Sequence, residues 1–195
     1  MVRANLILYL QSLCSKREMN WWQMKRIWIV GTAGSGKTTL AKLLSYELNI
    51  PAYHRDNISW DNKGEDVPEE KQVAITQEIT SKEKWIFEGC RFSASKIDGR
   101  LTNCDTIIYL HINRYICLFR TCHRYIKQLL VKSSEYGWIQ EINFDIVKYI
   151  LYDYPRKSPE REAIFTVARD NGKDVIVLTS TSAVKRFMNG MRNRL

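Results

Sequence analysis

One glycine-rich segment constrains the fold of this chain more than any other. It reads Gly31-Thr32-Ala33-Gly34-Ser35-Gly36-Lys37-Thr38, which has the spacing G-x-x-x-x-G-K-[ST]. A short apolar run, residues 27–30, precedes it, and leucines at helical spacing follow it from Leu40 to Leu48. This order of strand, glycine-rich turn and helix distinguishes a phosphate-binding loop, or P-loop, from a chance match. The sequence therefore predicts a buried parallel strand, a P-loop and a helix over about 37–48.

The residue types of this segment suit phosphate binding. Glycines let backbone N–H groups point inward with no Cβ in the way of the phosphate oxygens, and the following helix N-terminus adds partial positive charge. Lys37 would place a full charge on the β- and γ-phosphates, Thr38 would offer its hydroxyl to Mg²⁺, and Thr39 would help to hold the α-phosphate. The residues predicted to bind the nucleotide here are Gly31, Thr32, Ala33, Gly34, Ser35, Gly36, Lys37, Thr38 and Thr39.

Strand-like and helical patterns alternate along the rest of the chain. Further strands are predicted at residues 51–54, 85–87, 106–110 and 174–178, with helical stretches between most of them. Residues 57–68 predict a loop, and the Pro-Glu-Glu at 68–70 predicts the first turn of a helix that continues to Thr80. Alternating strands and helices indicate an α/β fold of three layers, a parallel sheet with helices on both faces.

Two acidic residues follow predicted strands, at the edge of the sheet where ligands bind in such folds. Glu88 follows the third strand and is a candidate for the metal shell. Asp56 follows the second strand and is a candidate for a substrate or metal ligand. Either residue could instead be a loop acid or a helix cap. Asp105 precedes the fourth strand at the opposite edge, which predicts a structural role.

The chain is basic, with 30 Lys and Arg against 21 Asp and Glu and a formal net charge of +9. This excess favours an anionic partner, either a phosphorylated metabolite, a nucleotide, a nucleic acid or an anionic lipid, although it also serves solubility. No acid occurs from Thr106 to Ser134, a stretch that contains several basic residues. Arg120 and Arg124 in this stretch are four residues apart and share one helix face.

Cysteine content and hydropathy exclude other classes of protein. The five cysteines are odd in number and none has C-x-x-C spacing, which disfavours a disulfide scaffold and a zinc site and fits a reducing cytoplasmic location. No apolar run approaches the roughly 20 residues that a membrane-spanning helix needs. Residues 1–23 are interpreted as an N-terminal extension, and residues 24–195 as one domain.

Several segments together resemble a known family. The P-loop region resembles that of small nucleoside kinases, and the whole set is similar to the DNA topology modulation proteins, a branch of the adenylate kinase-like P-loop group, with shikimate and gluconate kinases as more distant relatives. The resemblance covers residues 24–188. The segments that carry it are residues 25–41, 50–56 (Ile-Pro-Ala-Tyr-His-Arg-Asp), 85–89 (Trp-Ile-Phe-Glu-Gly), 104–110 and 114–124.

The resemblance implies a five-stranded parallel sheet of order 2-3-1-4-5 and a mobile helical lid at about 114–170. Arg120 and Arg124 would be the lid arginines that close over the transferred phosphoryl group, and Arg91 would hold the acceptor. Thr179 and Ser180 resemble the segment whose backbone recognises adenine, which favours ATP over GTP. The chain departs from the family at Glu88, where an aspartate is more common.

The leading hypothesis for function is therefore an ATP-dependent phosphotransferase that uses Mg²⁺ and acts on a small-molecule acceptor. Lys37, Arg120, Arg124 and Asp56 are its predicted catalytic residues, and Thr38 and Glu88 its predicted metal-shell residues. Two alternatives are a nucleotide-dependent regulatory module that associates with nucleic acid and hydrolyses ATP slowly, and an inactive homologue that binds ATP structurally. No nucleic-acid-binding motif is evident in the sequence.

Overall fold

The apolar run before the P-loop forms the central strand of a parallel sheet. The structure is a computed structural model, and it describes residues 23–60, 65–131 and 143–193. The sheet has five parallel strands in the order β2-β3-β1-β4-β5. Both the predicted strands and the predicted strand order are confirmed. The strands are β1 (Arg26–Gly31), β2 (Ala52–His54), β3 (Trp85–Glu88), β4 (Thr106–Leu110) and β5 (Asp174–Leu178).

Helices connect the strands. The predicted helix after the P-loop runs from Lys37 to Leu48 and ends at Asn49, which adopts the left-handed conformation that commonly ends helices. The helical segments of the described residues also include a π-helical turn, Tyr149–Asp153. They are α1 (Lys37–Leu48), α2 (Arg55–Ser59), α3 (Glu69–Thr80), α4 (Arg100–Asn103), α5 (Arg114–Val131), α6 (Phe144–Lys148), the π-helical turn, α7 (Tyr154–Arg156), α8 (Ser158–Asp170) and α9 (Thr181–Arg192).

One local prediction was wrong. Residues 57–59 lie in α2 rather than in a loop. Asp56 stands in the first turn of this short helix, where a carboxylate interacts favourably with the unpaired N–H groups, so residues that suggest a turn also suit a helix start. Residues 132–142 of the predicted lid and nearly all of the predicted N-terminal extension lie outside the described residues.

Two hydrophobic clusters cover the two faces of the sheet, because successive side chains of a strand point to opposite faces. On one face, Ile27 and Ile29 of β1 lie with Leu40 and Leu44 of α1 in a cluster that also contains residues of α9. On the other face, Trp28 is fully buried in a cluster with residues of α8. The arrangement of helix, sheet and helix is the predicted three-layer architecture.

Asp105 forms hydrogen bonds at the edge of the sheet opposite the P-loop. Its Oδ2 atom accepts hydrogen bonds from the backbone N–H groups of Lys25, at 3.1 Å, and Arg26, at 2.8 Å. The side chain therefore connects the start of β4 to the start of β1, in agreement with the predicted structural role. Within the described ranges, none of the helices is both long and apolar enough to cross a membrane.

Candidate active site

The P-loop connects the end of β1 to the start of α1. Gly36 precedes the first helical residue with φ 98°, and no side chain of the described residues caps the helix. The first N–H groups of an α-helix have no acceptor within the helix. The start of α1 therefore presents backbone donors and the positive end of the helix dipole at the carboxyl edge of the sheet.

Lys37 bonds to the loop itself. Its Nζ atom donates to the carbonyl oxygen of Thr32 at 3.0 Å, and the N–H of Ser35 donates to the same oxygen at 3.2 Å. The hydroxyls of Thr32 and Ser35 are buried and have no hydrogen-bond partner among the described residues. The ammonium group is thus held against the inner side of the loop.

Gly34 lets the P-loop lie directly on α5. It has φ 72°, and a Cβ atom at this position would collide with the backbone carbonyl of Cys117 and lie 2.6 Å from Oγ1 of Thr121. Thr121 Oγ1 itself donates to the Cys117 carbonyl at 2.9 Å. The phosphate-binding loop therefore rests on the first turns of the predicted lid helix.

A hydroxyl, a carboxylate and an imidazole meet where β2 and β3 end. Glu88 Oε1 accepts a hydrogen bond from Thr38 Oγ1 at 3.0 Å and lies 3.2 Å from Nδ1 of His54. Burial alone would raise the pKa of the Glu88 carboxyl, but the hydrogen bond from His54 and the charge of Lys37 outweigh it, and the pKa is lowered. Glu88 is therefore an anionic oxygen donor beside the P-loop threonine. His54 was not predicted as a site residue.

One cavity of about 640 Å³ brings most of the predicted site residues together. Thr32, Ser35, Thr179 and Ser180 are not among the described residues that line it. The predicted residues that do line it are Gly31, Ala33, Gly34, Gly36, Lys37, Thr38, Thr39, Asp56, Glu88, Arg91, Arg120 and Arg124.

Arg120 and Arg124, the predicted lid arginines, both lie on α5 and line the cavity. Arg120 Nη2 donates to Thr181 Oγ1 at 2.7 Å, at the first residue of α9. The neighbouring Ser180 caps α9, since its Oγ accepts from the N–H of Ala183 at 3.1 Å. Arg120 therefore connects α5, the predicted lid helix, to the residue that follows the segment predicted to recognise adenine.

Sequence reasoning missed several residues of the cavity wall. Tyr149 and Lys157 lie in the later part of the predicted lid region, and no local pattern in the sequence indicates them. Arg55 could have been predicted from the sequence, because it follows β2 directly and is adjacent to Asp56. Cys90 comes two residues after the end of β3. Its Sγ atom lies 2.9 Å from the backbone N and 2.7 Å from the backbone O of Gly31. These two contacts connect the segment after β3 to the start of the P-loop.

Two of the solved structures that have a similar fold are kinases. The shikimate kinase from Acinetobacter baumannii, in complex with shikimate, has a TM-score of 0.54 and 16% identity, and the alignment covers 88% of this chain and 93% of that one. A gluconokinase from Sinorhizobium meliloti 1021 has a TM-score of 0.51 and 14% identity, and covers 87% and 93%. No family model and no curated protein matches the chain. The chain therefore has a P-loop NTPase fold of the kinase-like type, and its predicted place among the DNA topology modulation proteins is not confirmed.

Proposed function

We propose that this protein is a kinase that transfers the γ-phosphoryl group of ATP, with Mg²⁺, to a hydroxyl group of a small molecule. The observation that carries the proposal is the composition of one cavity. The P-loop, a threonine–glutamate pair, an aspartate after β2 and two lid arginines line the same space of about 640 Å³. Phosphoryl transfer needs little more than this, because its catalysis depends mainly on positioning and charge compensation.

The P-loop fits the triphosphate of a nucleotide. Helix α1 begins without a side-chain cap in the described residues, so its first N–H groups can bind an anion. Lys37 is already held inside the loop by the carbonyl of Thr32, from which its ammonium group can reach the β- and γ-phosphate oxygens. The segment of Thr179 and Ser180 would contact adenine through its backbone, since the Ser180 hydroxyl caps α9.

Thr38 and Glu88 fit a magnesium ion. Hydroxyl and carboxylate oxygens are ligands that Mg²⁺ prefers, and the ion usually keeps several waters. Thr38 Oγ1 and Glu88 Oε1 are 3.0 Å apart, so one side chain can bind the ion while the other holds its water shell. When bound, the ion would compensate charge on the β- and γ-phosphates. His54 keeps the Glu88 carboxylate oriented towards Thr38.

Asp56 and the lid arginines would act on the acceptor and on the transferred group. Asp56 is exposed to the cavity, where its carboxylate would orient the acceptor hydroxyl and accept the proton that the hydroxyl releases. Arg120 and Arg124 would stabilise the charge of the transferred group and help to exclude water. The sequence segments at 50–56 and 114–124 support a place for this kinase near the DNA topology modulation proteins.

A turnover assay tests this proposal. Purified full-length protein is given Mg²⁺, ATP and one acceptor from a panel of sugar acids, nucleosides and nucleoside monophosphates, and ADP is measured. We expect at least one acceptor to raise ADP production about tenfold over water, and Lys37→Ala to abolish the effect. Lys185→Ala, an exposed change on α9, is the matched control and should keep full activity. ADP production that is the same with every acceptor as with water alone would favour an ATPase. Activity that is unchanged in Lys37→Ala would contradict the assigned site.

A further inference from the structure

Arg55 lies in the wall of the cavity and forms no ion pair with a carboxylate of the described residues. It is partly buried at the start of α2, and its Nη2 atom lies 3.4 Å from the amide oxygen of Gln72. Among the described residues, no carboxylate oxygen lies within 4.0 Å of its guanidinium group. Burial, followed by the charges of Arg91 and Arg100, lowers the pKa of Arg55, and the opposing charge of the adjacent Asp56 offsets this only in part. A partly buried cation next to other cations is costly unless an anion balances it.

The neighbouring arginines already have acidic partners. Arg100 is buried and contacts both carboxylate oxygens of Asp98, with a shortest distance of 2.6 Å from Nη2 to Oδ2. Arg91 Nη2 lies 2.8 Å from Glu69 Oε1. In the part of the chain that the structure describes, Arg91 and Arg100 thus each have a carboxylate partner, while the charge of Arg55 is not compensated by an ion pair.

Arg55 and Arg91 converge on one acceptor atom. Arg91 Nη1 also lies 3.4 Å from Gln72 Oε1, the same oxygen that faces Arg55. Both arginines line the cavity that contains the P-loop and Asp56. Two guanidinium groups that share one neutral amide oxygen can turn their remaining N–H donors to a bound oxyanion.

The end of β3 is shaped to admit Arg55. Gly89 has φ 143°, and a Cβ atom there would lie 2.5 Å from Cβ and 3.1 Å from Cδ of Arg55. The backbone at Gly89 is itself fixed, since its carbonyl accepts from Trp28 Nε1 at 2.9 Å. The arginine stem therefore lies across a position where only glycine leaves room, on a rigid part of the sheet.

We propose that the acceptor carries an oxyanion group, a carboxylate or a phosphate, which Arg55 and Arg91 bind while Asp56 holds the hydroxyl that is phosphorylated. This inference rests on the proposed kinase function, because it concerns the acceptor side of the same cavity. Carboxylates and phosphates share the planar or tetrahedral oxygen pairs that guanidinium groups bind in a bidentate manner. An uncharged polyol would leave the Arg55 charge unbalanced and would bind weakly.

Anion binding to the nucleotide-loaded protein tests the inference without knowledge of the acceptor. Full-length protein is first titrated with the non-hydrolysable analogue AMP-PNP and Mg²⁺, which fill the P-loop. Inorganic phosphate, D-gluconate and D-sorbitol are then titrated calorimetrically at constant ionic strength. We expect phosphate or gluconate to bind and sorbitol not to bind, and the tighter of the two anions identifies the preferred oxyanion. Arg55→Met should weaken that binding at least about tenfold.

Two further variants keep the result unambiguous. Arg55→Lys keeps the charge and should show intermediate affinity, because it lacks the planar pair of donors. Arg169→Met on α8 removes the same charge away from the described cavity residues and should bind the anion normally. Failure of AMP-PNP to bind would reject the kinase proposal itself. Nucleotide binding without anion binding, or equal anion binding by wild type and Arg55→Met, would overturn the inference alone.

Discussion

The proposed phosphate side of the cavity is built from consecutive backbone, whereas the proposed acceptor side is built from side chains of separate elements. The P-loop takes its donors from one turn between β1 and α1. The acceptor side instead combines Arg55 and Asp56 of α2 with Arg91, which follows β3. A single substitution in the backbone loop affects the whole loop, whereas side chains on separate elements can be substituted one at a time. Acceptor preference can therefore diverge while the nucleotide site stays the same.

Asp56→Asn should separate the two sides most strongly. The amide cannot accept the proton of the acceptor hydroxyl, so kcat should fall by about 10²- to 10⁴-fold. The Kd for the Mg²⁺ complex of ATP should stay within about twofold, because the P-loop is untouched. Steady-state kinetics and calorimetric titration measure the two quantities, with Asp174→Asn at the far edge of the sheet as the control. A large loss of ATP affinity would show that Asp56 belongs to the nucleotide side.

Arg120→Ala should lower kcat by about 10²- to 10³-fold, because one charged donor to the transferred phosphoryl group is lost. In the structure this arginine donates to Thr181 instead, and it would have to leave that hydroxyl to contact phosphate. Thr181→Val removes only this resting contact, so its kcat should change by less than about threefold. Equal kcat values for Arg120→Ala and wild type would exclude a catalytic role for this lid residue.

Gly34→Ala should disturb the phosphate side through its backbone. The added Cβ would meet the Cys117 carbonyl, and an L-residue with φ 72° is strained, so unfolding free energy should fall by about 2 kcal/mol or more. Gly172→Ala is a matched control, because Gly172 has φ 74° but open space around its Cβ position. Chemical denaturation gives the unfolding free energy of both variants, and the difference between their losses is the part due to the contact with Cys117 rather than to the positive φ. A loss no larger than that of Gly172→Ala would show that the P-loop does not rest on α5.

Glu88→Gln should change the pH dependence of stability slightly. Because the pKa of Glu88 is lowered in the folded protein, its contribution to stability is complete above the ordinary value of 4.5 and is lost as pH falls through the lowered value. The unfolding free energy of wild type should thus decline more steeply than that of Glu88→Gln below about pH 4.5. Urea titrations across this range measure it, with the exposed Glu160→Gln as control. Parallel curves would contradict the lowered pKa.

The two sides also differ in how far the sequence predicts them. The P-loop was predictable because its function depends on a contiguous motif in a strand–turn–helix context. Asp56 and Glu88 could be proposed because parallel strands end at one edge of the sheet. The uncompensated charge of Arg55 was not predictable, since it depends on which acids pair with Arg91 and Arg100. Tyr149, in the later part of the predicted lid region, lines the cavity through tertiary packing, which no local pattern specifies.

The proposed function depends above all on the backbone amides between β1 and α1, which would bind the phosphates of ATP. Hydrogen–deuterium exchange of the full-length protein, with and without AMP-PNP and Mg²⁺, measures this directly. We expect exchange to slow for the amides of residues 32–39 when nucleotide is added, and Lys37→Ala to remove this protection. Unchanged exchange in this segment at saturating nucleotide would contradict the assignment of the site.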